Sequence, residues 1–377
     1  LFTTPLMIAV QETCARIALA SKQGLFTLFR AHLPRPLVAL CALCFIGANV
    51  FNLAADLNMM SAAMQTVLPF SKWAWLLLFA GGTFWLQVAL RYRTYANVLR
   101  WLVCGLLAYV AVLFFVDLSW AEALKHTFLP SYGWGKEFLF IVIAILGTTL
   151  SPYMFVWQGS EELEEAAACR REHIGRSVVC RANHPGVLQA MRWDVSIGMI
   201  ASNIVFWCIV AASAATLHAH GLGAASTVEE AASVLRPFLG PVATILFTVG
   251  IVGTGLLTIP VLAGSAAYVV AELCDWRRSL NDTWREAPKF YAVIGIMTLA
   301  GVGLNAFNIP PIQMLLWSAV VNALLAPPLL AGILWIANRT DVMKQYKNGA
   351  WANAGLGVAL SVMTLAALLW AAYTFVA

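Results

Sequence analysis

Charge is what this chain has least of. Asp, Glu, Lys and Arg make up only 11% of its 377 residues, hydrophobic residues make up 61%, and the mean hydropathy is +0.79. So little charge places the chain in a lipid bilayer rather than in water. Other absences narrow the class further. There is no His-Glu-x-x-His, no Gly-x-Ser-x-Gly, no Walker loop and no pair of midspan aspartates, which argues against an intramembrane enzyme. No soluble signalling domain follows the last apolar stretch, which argues against a sensor. The alternation of a transmembrane β-barrel is missing, leaving helices as the spanning element. The eight cysteines are scattered, so no disulfide framework is indicated. Cys41-x-x-Cys44 has the spacing of a redox or metal motif, but it sits in the apolar run Leu37 to Ala48 with no histidine or second pair nearby, and it reads as packing.

What is present is a series of ten apolar stretches, near 1 to 20, 37 to 66, 73 to 90, 101 to 118, 138 to 158, 195 to 217, 240 to 271, 290 to 307, 312 to 337 and 352 to 376. Each is close to the roughly 20 residues that cross a bilayer, so the expected fold is an all-α membrane protein, a polytopic helical bundle. Lys and Arg are divided very unequally between alternate loops. Eighteen lie in one set and four in the other, with Arg16 inside the first stretch. The basic set is expected on the cytoplasmic side, with both termini outside. The net charge of +5 follows from that bias and calls for no nucleic-acid partner. Residue 1 is leucine at the very start of a span, so a helix is expected upstream, for eleven in all. The longest connections are Ala166 to Met191 on the basic side, and Ser119 to Glu137 and His218 to Arg236 opposite; Ala224 to Leu235 reads as a short helix capped by Ser226 or Thr227.

Between Ile141 and Glu165 the apolar run is interrupted by Gly147-Thr148-Thr149-Leu150-Ser151-Pro152-Tyr153 and ends in Gln158-Gly159-Ser160-Glu161-Glu162-Leu163-Glu164-Glu165. A proline in mid-span frees carbonyls that hydrocarbon cannot satisfy, so such a break persists only where protein, water or a ligand supplies a partner. This helix break at Gly147 and Pro152 is the best site candidate in the chain. Two acids lie within spans, where a charge costs about 2.5 to 3.5 kcal/mol on insertion scales. Glu12 is four residues before Arg16, which allows either an ion pair or a place on a proton pathway. Asp56 shares a helical face with Asn49 and Asn52, a stripe that suits either a proton path or interhelix hydrogen bonding. Glu161 and Glu162, with Glu164 and Glu165, form either a cation-attracting cytoplasmic vestibule or a solvated helix end balanced by Arg170 and Arg171. His218-Ala219-His220 offers only two ligands on a loop and reads as ordinary loop sequence. Gly250, Gly253, Gly255 and Pro260 permit close helix approach or local unwinding, with packing the default.

These residues carry a resemblance. Gln11-Glu12-x-Cys14-Ala15-Arg16-Ile17, Asn52-x-x-Ala55-Asp56-Leu57, the segment from Gly147 to Tyr153 with Gln158 to Glu165, Gly253-Thr254-Gly255-Leu256-Leu257-x-x-Pro260-Val261-Leu262-Ala263-Gly264-Ser265, and Asn322-x-x-x-x-Pro327-Pro328 occur in order over essentially the whole chain. The chain thereby resembles the NRAMP family of divalent-metal transporters, in particular its divergent bacterial branch. The resemblance implies a LeuT-like fold of two inverted five-helix repeats with two discontinuous helices meeting near the midplane. Residues 1–118 would be the remainder of the first repeat, 138–337 the second and 352–376 an additional helix. The family's other broken helix, with its Asp-Pro-Gly-type motif, would precede Leu1.

The resemblance also implies a ligand set and its departures. Thr148 aligns with the residue whose backbone carbonyl contributes to the family site, the family's methionine ligand falls on Ser151, and its following histidine falls on Tyr153. A hydroxyl and carbonyls suit Mg²⁺, Mn²⁺ or Ca²⁺ better than a thioether does. A family glutamate falls on Met59 and a family glutamine on Ala319, leaving Asp56 as the main acid for coupling. The expected function is a secondary transporter importing Mn²⁺ or Fe²⁺, or a harder ion such as Mg²⁺, by alternating access with proton symport. Its location would be the cell inner (plasma) membrane, multi-pass, with the metal as substrate and no cofactor. The alternative is a LeuT-fold transporter of a small organic solute such as an amino acid, since broken-helix ends also serve carboxylates.

Overall fold

Prolines mark where many of the helices begin. Proline lacks an amide hydrogen and presets φ, so it is at home in a first turn, where the amide has no intrahelical partner. In the computed structural model Pro5, Pro36, Pro152, Pro185, Pro288 and Pro311 each occupy the first or second position of a helix. The structure describes residues 1–89, 110, 113–114, 119–129, 135–172, 185–215, 228–233, 240 and 242–375. Among these residues the secondary structure is helical, with no strand.

In chain order the helices are α1 (Thr4–Ser21), α2 (Leu25–His32), α3 (Arg35–Val67), α4 (Lys72–Ala89), α5 (Trp120–Phe128), α6 (Lys136–Thr149), α7 (Pro152–Glu172), α8 (Pro185–Ser213), α9 (Val228–Ser233), α10 (Val242–Cys274), α11 (Pro288–Leu304), α12 (Pro311–Ala337), α13 (Thr340–Met343) and α14 (Ala350–Phe375). Helix α3 is central, lying against α10, α11, α12 and α4. Helix α12 also packs on α6 and α14, while α1 packs on α7, α8 and α14. The interior holds Phe26, Phe45, Phe155 and Phe290, all fully buried. Large apolar side chains such as Leu77, Leu78, Ile197, Leu365 and Leu368 stay exposed on the outer faces, where lipid rather than water is their solvent.

Seven helical segments among the described residues are long and apolar enough to cross a membrane: 35–67, 138–167, 186–213, 242–274, 288–307, 311–337 and 350–372. The expected ten are not all recovered. The stretches 1 to 20 and 73 to 90 do form helices, α1 and α4, but Glu12 and Arg16 in one and Lys72 and Gln87 in the other dilute their apolarity. The stretch 101 to 118 lies almost wholly outside the described residues.

The connections also carry more helix than expected. Helix α7 continues to Glu172 and α8 begins at Pro185, which shortens the connection placed at Ala166 to Met191. Two short helices, α2 and α5, were not anticipated, and the expected helix at 224 to 235 is confined to Val228–Ser233, its caps lying outside the described residues. Helix α10 passes through Pro260 without a break. Its glycines serve close approach, since a methyl added at Gly255 would overlap the Met60 sulfur of α3.

Candidate functional site

The helical ladder stops between α6 and α7. The Leu150 amide donates to the Leu146 carbonyl at 2.8 Å, and the next bond is from the Met154 amide to the Ser151 carbonyl at 3.1 Å. Pro152 has no amide hydrogen to offer Thr148. Ser151 compensates in part, its hydroxyl lying 2.8 Å from the Gly147 carbonyl and 2.9 Å from that of Thr148. The carbonyls of Thr149 and Leu150 accept no backbone amide across the break. Oxygen atoms of high partial charge are therefore concentrated at one point along a span, an arrangement suited to a cation.

Tight packing on one side holds the break in place. A methyl at Gly147 would overlap the Ala319 carbonyl of α12 and stand 2.9 Å from the Ala323 amide nitrogen, so α6 and α12 touch backbone to backbone here. Ala319, where the resemblance places a glutamine, is buried in that contact. On α7, Gly159 packs against Ala18 and the Cys14 carbonyl of α1.

The expected site residues fall as follows. Ser151 and Pro152 are buried at the break, Tyr153 is half-buried, and the Thr148 side chain is exposed with its hydroxyl bonded back to the Ala144 and Ile145 carbonyls. Any role of Thr148 therefore rests on its main chain. Asp56 lies within electrostatic reach of Tyr153, which brings the acid of α3 and the first turn of α7 together. Among the described residues Asp56 forms no hydrogen bond or salt bridge.

Its two neighbours on the stripe are hydrogen-bonded across to other helices. Asn49 donates to Ser265 at 3.2 Å, and Asn52 and Asn322 exchange hydrogen bonds of 2.9 and 3.1 Å. Met59, in the place of the family glutamate, is packed among Ala63, Cys208 and Ala212.

Glu12 is not free either. Its carboxylate pairs with Arg16 and, at 2.6 Å, with Arg192 of α8, while the buried Arg16 also donates to Asn348. At the Lys- and Arg-rich end, Gln158 donates to Glu162 at 3.2 Å, and Glu165 and Asp194 lie in electrostatic range of the same carboxylate. The side chains of Arg170 and Arg171, and residues 218 and 220, lie outside the described residues. No group of three His, Cys, Asp or Glu side chains converges to hold a metal among the described residues. A cation here would depend on carbonyls and hydroxyls with one carboxylate nearby.

Sequence reasoning missed Glu272 near the end of α10. It is fully buried and accepts the Phe26 and Thr27 amides at 2.8 and 3.1 Å, so it caps α2 from another helix. The available signal was Gly24 just before an amphipathic segment, because a methyl there would overlap the Glu272 carboxylate.

Residues 1–372 match the family profile described as "Natural resistance-associated macrophage protein-like". The chain is 26% identical over 332 residues to a divalent metal cation transporter, MntH, of Vibrio campbellii, covering 88% of this chain and 70% of that one. It is 24% identical over 375 residues to the MntH of Klebsiella pneumoniae, covering 96% and 82%. Its structure is similar to a crystal structure of the Eremococcus coleocola manganese transporter, with a TM-score of 0.72 at 13% identity over 98% of this chain and 78% of that one. At that identity the structural likeness speaks to fold alone.

Proposed function

The chain belongs to the Nramp family, and from that premise we propose that it is a secondary transporter carrying a divalent metal cation inward across the cell inner (plasma) membrane. The observation that carries this reading is the break between α6 and α7, with Asp56 facing it from α3. The Thr148 carbonyl, which Pro152 leaves without an amide donor, the Ser151 hydroxyl and the Tyr153 phenol are the oxygen donors of this half of the site, joined by the carbonyls of Thr149 and Leu150. Hard oxygen donors favour Mn²⁺, and admit Fe²⁺ and Mg²⁺, over metals that need a thioether. Residues 1–118 and 138–337 act as parts of two inverted repeats in a LeuT-like fold, with 352–376 as an added helix. The site is exposed to alternate sides as one group of helices rocks against the other.

Protons are the proposed co-substrate, and Asp56 is their carrier. Asp56 is a carboxylate at bilayer depth without a fixed counter-ion among the described residues, and a proton or a metal can each balance its charge. Glu12 is less suited, because Arg16 and Arg192 already neutralise it. The test is uptake by the full-length protein in sealed liposomes. Mn²⁺, Fe²⁺ or Mg²⁺ is expected to accumulate above protein-free controls. Absence of uptake for all three would remove the proposal, and competition by amino acids instead would favour an organic substrate.

A further inference from the structure

The last turns of α7 are pinned to the α10–α11 connection by one carboxylate. Glu164 accepts hydrogen bonds from the Tyr268 hydroxyl, from the Leu280 amide at 2.8 Å and from the Asn281 side-chain amide. These three donors come from α10 and the connection after it, so all of them are foreign to α7. Two turns earlier on α7, Trp157 stands edge-on to Tyr268 with ring centroids 6.3 Å apart. The space for Trp157 exists because Gly264 has no side chain, since a Cβ there would stand 3.0 Å from the indole and 3.4 Å from Leu280. The seat is thus an aromatic wedge with a charge-assisted cluster beyond it.

We propose that Glu164 is a positioning residue of the transport cycle. Docked as seen here, it holds α7 against α10 and closes the Lys- and Arg-rich end, and the cycle proceeds by breaking this seat. The placement supports this. Helix α7 begins at the break that carries Ser151 and Tyr153, so a rotation of α7 about residues 150 and 151 moves its far end most. Glu164 lies nearly four turns from that pivot, where a small rotation separates its oxygens from donors fixed on other elements. Hydrogen bonds to a carboxylate are about twice as strong as neutral ones and need close geometry, so the seat favours one position of α7 over a continuum. Helix α7 runs on to Glu172, so these partners are not needed to end it, and they fix its side against α10 instead.

This inference rests on the alternating-access reading above, but its test needs no metal, so failed uptake and failed undocking are separate results. Spin labels are placed at Glu165→Cys and Arg285→Cys, both exposed positions, in full-length protein whose native cysteines are replaced, and distances are measured in lipid nanodiscs. The wild-type seat should give a dominant short distance. In Glu164→Ala, which removes all three hydrogen bonds, the longer-distance population should rise by about tenfold or more, tenfold being the effect of losing even one charge-assisted bond. Glu164→Gln, which keeps acceptors for Tyr268 and Leu280 but opposes Asn281 with a second donor, and Tyr268→Phe should fall between. A lower melting temperature with unchanged distances would mean that the seat is merely structural, overturning the proposal. Should Glu164→Ala fail to fold, unchanged distances in both milder variants would overturn it equally.

Discussion

Asp56 differs from its neighbours in having no bonded partner among the described residues, and that difference carries a functional consequence. Asp56→Asn keeps the shape and removes the titratable group. It is expected to abolish metal flux that responds to a pH gradient while sparing flux down a metal gradient, measured by liposome uptake with and without an imposed pH difference. Equal loss of both would give Asp56 another role. The sequence placed Asn49, Asn52 and Asp56 on one face, because helical period alone decides that. It could not divide them, since the groups that satisfy Asn49 and Asn52 lie 216 and 270 positions away. Glu12 was legible for the opposite reason: its partner Arg16 is one turn along the same helix.

Among the elements, the break between α6 and α7 was legible because proline and glycine act through the local backbone. Its surroundings were not, since nothing in Gly147 itself announces α12. The close approach predicts that Gly147→Ala forces α6 from α12 at a cost of about 1 to 3 kcal/mol, as for other overpacked sites. The expected readout is a lower melting temperature together with reduced uptake; a variant as stable and active as the parent would show that the contact yields easily. The end of α7 was misjudged for a related reason. Glutamates after Gln158 look like the edge of a membrane helix, yet α7 runs on to Glu172, with Tyr268, Leu280 and Asn281 receiving one of those carboxylates. The helices α2 and α5 were overlooked because segments of eight and nine residues leave little periodicity to read.

For the whole molecule, the most legible property was the solvent, set by composition alone, followed by the positions of the longest spans. Spans diluted by functional or paired charges, as in α1, were the hardest to assign by apolarity. The field of the molecule is the remaining consequence. Glu161, Glu162 and Glu165, with Asp194, gather at the Lys- and Arg-rich end, and the vestibule proposed from the sequence requires that they attract divalent cations. Neutralising it with Glu161→Gln and Glu162→Gln should raise the KM for metal entering from that side at low ionic strength and leave the maximal rate unchanged. In about 1 M salt, where the screening length falls to about 3 Å, the difference should vanish. A salt-independent defect would instead indicate a direct ligand.

The buried Glu272 that caps α2 has a mechanical corollary. Because its carboxylate fills the space beside Gly24, while Arg30 of α2 reaches the Leu273 carbonyl and Asp275, the short helix that follows α1 is fastened to the end of α10 at several points. A tilt of α1 would pivot at that fastening, with the arm being a helix of 18 residues, about 27 Å long. A slight rotation at the glycine would thereby become a sweep of several ångströms at Thr4.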